Sequence, residues 1–288
     1  MQVGIVMPIR EGNEYLHEWV EHHLKLGFDR IIIIDNNEID GPNPLDVVQD
    51  YRDKITYVDI RGNHDKDRQN KTNSLVYKQM HKVFDWLFFF DSDEYIFLNK
   101  DTNIKQYLSR PEFNRAEVIG INWRMMADND LILKDDRPVI ERFTEFCPGD
   151  CKTVYNTVPQ NFHIKSAVRC VRDDIWFSHP HFPRANTLLN TVNGSGRPIK
   201  PLCPFCEYDF TLIELRHYQV KSTQEFCENR LTDSKRYVNS SRYDGVVFDN
   251  AKEISCYFKM CRWSPEKQKY IDNYCREHGL QSYRPNII

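Results

Sequence analysis

The chain has 288 residues, enough for one large α/β domain with or without an added lobe. Its 39 basic residues are balanced by 42 acidic ones, so no global field draws it to nucleic acid or to an anionic membrane, and any phosphate binding has to be local. Nothing approaches the roughly 20 apolar residues that span a bilayer, because the runs IIII at 31–34 and WLFFF at 86–90 are closed at once by charge.

In chain order, the first apolar run, residues 3–7, lacks the basic flank and small-residue cleavage site of a secretory leader and reads as a buried strand. Residues 15–26 place Leu16, Trp19, Val20 and Leu24 on one helical face, and residues 31–34 form a second strand, completing a βαβ unit. A third strand is expected at 55–60, a helix at 71–84 carrying Leu75, Tyr77, Met80 and Val83, and a fourth strand at 86–90. Continuous apolar strands alternating with helices predict an α/β fold whose mostly parallel sheet is covered on both faces. Farther on, residues 118–126 and 138–146 read as strands, 186–206 as Gly- and Pro-bearing loops, and 222–237 and 265–278 as charged, solvated helices.

Nine cysteines without an export signal predict reduced thiols and a cytoplasmic protein, at most peripheral to a membrane. Cys203 and Cys206 have the spacing of half a zinc site, but Cys256 and Cys261 supply no second pair of that spacing.

Ligands of parallel α/β sheets bind beyond the carboxyl ends of the strands. Here those ends are polar: Pro8-Ile9-Arg10-Glu11, Asp35-Asn36-Asn37, Asp59-Ile60-Arg61-Gly62-Asn63, and Asp91-Ser92-Asp93-Glu94. No glycine-rich dinucleotide or P-loop fingerprint occurs. Asp91 and Asp93 stand two residues apart where an aromatic strand opens into a turn, so both can reach one divalent ion, with substrate phosphates completing its shell. Asp35 can accept from a base N–H or a ribose hydroxyl, or simply close an Asx turn.

Residues 11–19 (EGNEYLHEW), 22–41 (HHLKLGFDRIIIIDNNEIDG) and 86–96 (WLFFFDSDEYI) resemble the donor-binding half of family 2-like GT-A glycosyltransferases. Asn122-Trp123-Arg124-Met125, Glu141-Arg142-Phe143 and the segment 215–222 (LRHYQVKS) narrow the resemblance to the branch related to glycosyltransferase family 92. It runs over most of residues 3–230, and its specificity lies in the order of the motifs. The resemblance implies a Rossmann-like GT-A domain at 1–230, with a donor half at about 1–100 and an acceptor half at about 101–230. Residues 231–288 would then be a C-terminal helical extension. It also implies a nucleotide-diphosphate sugar donor, typically UDP-linked, a divalent metal, and inversion at the anomeric carbon.

By the same carry-over, Asp35 lies near the base or ribose and Asp91 near the ribose and metal, with Asp93 and His217 as further metal ligands. That mixture of oxygen and imidazole favours Mn²⁺ over Mg²⁺. Pro8, Arg10, Glu11, Ser92, Arg68 and Lys221 are expected around the donor, Lys221 at a diphosphate oxygen and Arg68 at a diphosphate oxygen or the base. Trp123 and His181 are expected on the sugar or acceptor side. An inverting transfer needs a base for the acceptor hydroxyl, and both Asp128 and Glu141 are candidates. The expected acceptor is an oligosaccharide, glycoprotein or lipid-linked glycan.

Two other classes stand against this reading. A sugar nucleotidyltransferase would need a Gly-rich basic phosphate loop near its N-terminus, where residues 3–14 are instead acidic-flanked and not Gly-rich. A noncatalytic carbohydrate-binding protein would have no use for the paired Asp91 and Asp93.

Overall fold

The computed structural model describes residues 1–152, 158–231 and 249–284. Seven apolar residues in a row can satisfy their backbone only inside a sheet, and β1 (Val3–Ile9) is buried along nearly its whole length. α1 (Asn13–Lys25) comes next, then β2 (Arg30–Asp35), β3 (Ile55–Asp59), α2 (Arg68–Met80), β4 (Trp86–Phe89) and β5 (Glu94–Leu98). After α3 (Ile104–Leu108) come β6 (Val118–Met125), α4 (Val139–Arg142), β7 (Ile164–Arg169), β8 (Trp176–His179), β9 (Phe182–Arg184), β10 (Thr191–Asn193) and β11 (Ile213–His217). The chain continues with α5 (Thr223–Phe226), a π-helical turn at Cys227–Leu231, α6 (Asn250–Met260) and α7 (Pro265–Glu277).

The chain forms two compact units, one of Met1–Trp123 with Phe162–Arg216, the other of Arg124–Asn161 with His217–Ile288. In the first, the main sheet runs β3-β2-β1-β4-β7-β6-β11-β5, with β10 added on β6. The pairs β1/β2, β2/β3 and β1/β4 are parallel, while β7 lies antiparallel to both β4 and β6. One face of the sheet, with Val6, Ile32, Ile34, Leu87 and Phe89, packs against Val76 and Tyr77 of α2 and Phe177 of β8. The other face meets α1 and its exit: Phe88 stands edge-on to Phe28 at 5.0 Å, and Phe28 meets His23. Each fully buried Ile or Phe contributes about 1.5–3 kcal/mol, so the two covered faces account for the all-apolar strands.

In the second unit, Ser222 caps α5 and forms a reciprocal capping box with Glu225. Glu225 in turn accepts from the Arg142 guanidinium at 2.8 and 3.2 Å. Tyr257 of α6 stacks on Phe226 at 4.4 Å, and α7 buries Ile271 and Cys275.

The expected α/β architecture with a mostly parallel, helix-covered sheet is present. One expected strand is not: residues 138–146 hold the short helix α4 instead. Pro138 opens it, and Arg142 is drawn inward to Glu225. The helical reading of 222–237 holds for 223–231, and residues 232–237 lie outside the described residues. No helix among the described residues is long and apolar enough to cross a membrane.

Candidate active site

The parallel register brings the strand ends of the first unit to one edge of the sheet. Ile9 stands beside Asp35, and Asp35 beside Asp59. Pro8 lies inside β1, opposite Ile34. Beyond the strand, Arg10 donates to Glu38 at 2.8 Å. Glu11 adopts a left-handed backbone (φ 51°), and its N–H donates to the Asn37 side chain at 2.8 Å, tying the ends of β1 and β2 together.

Asp35 has no exposed surface. It accepts from the Asn37 N–H at 3.0 Å and the Tyr57 hydroxyl at 2.7 Å, and Arg61 Nε lies 3.5 Å away. Burial and then the Asp35 contact push the Tyr57 phenol up to about 12. Asp35 thus closes an Asx turn, one of the two readings open for it, and its carboxylate is held by Asn37, Tyr57 and Arg61. Arg68 is the first residue of α2. Burial, followed by the like charge of Arg10, lowers its pKa.

The Asp91–Glu94 turn is the most constrained part of the edge. Glu94 N–H donates back to the Asp91 carbonyl at 3.1 Å, and the Asp91 N–H donates to the Glu94 carboxylate at 2.8 Å. Lys165 Nζ lies 2.6 Å from Asp91 Oδ2 and 3.5 Å from Glu94 Oε2, and Gln69 donates to Asp91 Oδ1 at 3.1 Å. Trp123 donates its indole N–H to Glu94 Oε1 at 2.7 Å, and Trp19 donates to the Glu94 carbonyl at 2.8 Å. A side chain at Gly12 would come within 3.6 Å of Ser92 Oγ, so the loop after β1 runs beside this turn.

Lys165 is 1% exposed, while the Asp91 side chain keeps 37% of its surface open. Burial alone would lower the Lys165 pKa, but Asp91 and Glu94 outweigh it and the net shift is upward, so the ammonium stays charged. Its place is set by register. β7 pairs antiparallel with β4 so that Ser166 faces Phe89, which leaves Lys165 alongside the residues where β4 runs into Asp91.

Trp123 is 9% exposed and stacks on His163 at 4.8 Å. His181 is buried in the turn between β8 and β9, its Nδ1 2.9 Å from the Ile164 carbonyl and its ring 5.1 Å from Trp123. Both were expected on the sugar or acceptor side; the Trp123 indole is bonded to Glu94, and His181 lies against Trp123.

The remaining expected residues belong to the second unit. Asp128 is 1% exposed, 2.7 Å from Lys267 Nζ, and accepts from the Tyr257 hydroxyl at 2.5 Å. Such a carboxylate is committed to an internal ion pair, which corrects its assignment as the base. Glu141 is exposed, and its neighbour Arg142 pairs with Glu225 rather than with it. His217 ends β11 and is buried, and Lys221 adopts a left-handed backbone just before the Ser222 cap.

Lys165 and Tyr57 were not foreseen, and Glu94 and Gln69, though they belong to the polar strand end and to the Arg68-Gln69 pair, had no role assigned to them. The available signals were a lone lysine in the strand-like segment 163–169 and an acid directly after the Asp-Ser-Asp triplet.

Among the described residues, no three His, Cys, Asp or Glu side chains form a ready-made metal cage. A cation bound together with a diphosphate needs only one or two carboxylates. An ionised carboxylate offers about four lone-pair positions, of which Gln69 and Lys165 occupy two on Asp91. The oxygen chemistry of Asp91 and Asp93 therefore fits a divalent ion whose shell is completed by phosphate.

No curated protein matches the chain. Among solved structures, Staphylococcus aureus TarS is similar at 13% identity and a TM-score of 0.41, covering 96% of this chain and 49% of that one, so the chain spans about half the TarS length. The TarS 1–349 complex with UDP-GlcNAc is similar at 14% identity and a TM-score of 0.41, covering 96% and 81%. The Pyrobaculum calidifontis mannosyltransferase PcManGT, in complex with GDP-Man and Mn²⁺, is more distant: 13% identity and a TM-score of 0.31 over 43% of this chain and 36% of that one. The family description glycosyltransferase family 92 matches residues 8–244, which take in the whole carboxyl-end edge and most of the fold, so the chain belongs to glycosyltransferase family 92.

Proposed function

We propose that the carboxyl-end edge of the first unit binds a nucleotide-diphosphate sugar, UDP-linked in the first instance, and that the protein transfers the sugar to a hydroxyl of a glycan acceptor. The observation that carries this is the half-open Asp91–Asp93 turn, fixed by Lys165 and Gln69. A buried aromatic strand feeding two carboxylates into a rigid turn beside a basic side chain suits a diphosphate with its cation. It does not suit a surface that only stacks carbohydrate.

On this reading Asp91 and Asp93 hold a divalent cation, Mn²⁺ in preference to Mg²⁺. The bound cation supplies neutralisation of the departing diphosphate. Arg10 and Arg68 meet phosphate oxygens, Asp35 with Tyr57 and Asn37 shapes the base and ribose end, and the β1 loop at Gly12 lies beside Ser92. Trp123, with His181 against it, holds the turn through Glu94. His217 as a metal ligand and Lys221 as a phosphate contact enter through the family resemblance alone, as does inversion. Glu141 is retained as the base. The division into a transferase domain at 1–230 and a helical extension at 231–288 is part of the same proposal.

The test is incubation with a panel of UDP- and GDP-sugars, with and without Mn²⁺, and then assay of released nucleotide. The reading expects slow hydrolysis of at least one donor, dependent on the cation and lost in Asp93→Ala. No turnover of any donor, or turnover indifferent to Asp93, would remove it.

A further inference from the structure

Lys165 is a buried charge to which the donor reading gives no role of its own beyond fixing the turn. It sits in the interior of a strand with 1% of its surface exposed, between the two ends of the carboxylate turn: 2.6 Å from Asp91 Oδ2 and 3.5 Å from Glu94 Oε2. A buried ammonium costs several kcal/mol of desolvation unless it is paired, and here it is paired with the residue proposed to grip the metal. Asp93 contributes to the same field.

Glu94, fully buried, accepts from the Asp91 N–H, the Trp123 indole and Lys165, an acceptor-only pattern that suits a carboxylate. Three carboxylates and one ammonium leave two negative charges, which a single divalent cation balances.

We infer that Lys165 is a resident cation of the site, a positioning residue that holds Asp91 in its working rotamer without metal and competes with the metal for that carboxylate. Metal binding to the nucleotide-free site is thereby kept weak, and it becomes strong only when a diphosphate supplies the missing oxygens. The device couples the metal to the donor. It rests on the donor-site reading and adds the order in which metal and nucleotide are held.

The two roles pull in opposite directions in a neutral variant, which makes the inference testable apart from activity. In Lys165→Met, Mn²⁺ alone should bind about tenfold more tightly than to the wild type, because a competing charge within about 4 Å has been removed. Donor turnover should fall about a hundredfold, because Asp91 is no longer held in place.

The measurement is calorimetric titration of the full chain with MnCl₂, then with UDP and MnCl₂ together, with circular dichroism confirming the fold. A purely structural lysine would weaken both properties. Lys165→Gln serves if the methionine variant does not fold. If neither neutral variant folds, Lys165→Arg decides. It should keep the Mn²⁺ affinity within about threefold while losing turnover, since a planar guanidinium cannot replace a compact ammonium at a sealed site, and an arginine variant with full turnover overturns the inference. Unchanged or weaker Mn²⁺ binding in a folded neutral variant overturns this inference alone. A wild-type protein that binds no UDP in either condition overturns the donor reading and this inference with it.

Discussion

Each unit contains a lysine buried to 1% exposure against an aspartate, and the two pairs have nearly the same geometry. Lys165 meets Asp91 at 2.6 Å and Lys267 meets Asp128 at 2.7 Å. The difference lies on the far side of the carboxylate. Asp91 keeps 37% of its side chain open and sits beyond the end of a parallel strand, whereas Asp128 keeps 2% and spends its remaining capacity on Tyr257 and on the N–H of Asp130. A carboxylate sealed on every side is cement, and the same carboxylate with one side open keeps lone pairs for a partner outside the fold. Type and pairing do not distinguish the two; exposure and position in the sheet do.

The largest expected effect tests the sealed pair. Lys267→Met leaves Asp128 buried without its partner and should cost about 3–5 kcal/mol of stability, read as a shift in the urea midpoint. A shift below about 1 kcal/mol would mean that Asp128 is not the structural member of the comparison. The open pair should behave in reverse. Asp93→Ala should leave the urea midpoint within about 0.5 kcal/mol of wild type while lowering donor hydrolysis by a hundredfold to a thousandfold, roughly 3–4 kcal/mol in the transition state. A variant that loses stability instead would move Asp93 to the structural side.

A smaller effect sharpens the nucleotide end. Tyr57→Phe removes the hydroxyl on Asp35 and should cost about 1 kcal/mol of stability, with weaker nucleotide binding if Asp35 shapes that end, and unchanged binding if it does not. The mildest test is pH. Burial lowers the pKa of His22 and drives that of His23 well below the ordinary 6.5. The unfolded chain then binds more protons than the native one as pH falls through 6.5. The stability carried by the neutral rings is complete above that value and declines below it. Urea midpoints from pH 8 to pH 5 should fall, with a shallower slope in His23→Gln. Equal slopes would deny His23 this role.

Much of the donor edge was legible because its elements are written locally. IIII and WLFFF can only be buried strands, and each runs directly into a short polar segment. The helices α1 and α2 were close to their expected bounds because their apolar spacing is regular. β7 was not legible: its lysine breaks the apolar pattern, and it is tolerated only because of Asp91, 74 residues away. α4 was read as a strand from the β-branched Val139 and Ile140 and the aromatic Phe143, whereas Pro138 and the pull of Glu225, 83 residues from Arg142, decide otherwise. α6 was missed because its burial is set by Tyr257 packing on Phe226, with Asp249 as its cap. At the site, Asp91 and Asp93 announced themselves by place. Asp128 looked equally available in the sequence, and only the fold brings Lys267, from near the far end of the chain, beside it. Long-range charge pairing is the common cause of the misreadings at β7, α4 and Asp128.

That Asp91 and Asp93 form a cation-assisted diphosphate site is tested most directly by calorimetric titration of UDP into the wild type and into Asp93→Ala, each with and without Mn²⁺. Wild-type UDP binding should be strengthened at least about tenfold by Mn²⁺, with no such gain in the variant. Equal Mn²⁺ enhancement in both proteins, or none in the wild type, would contradict the assignment.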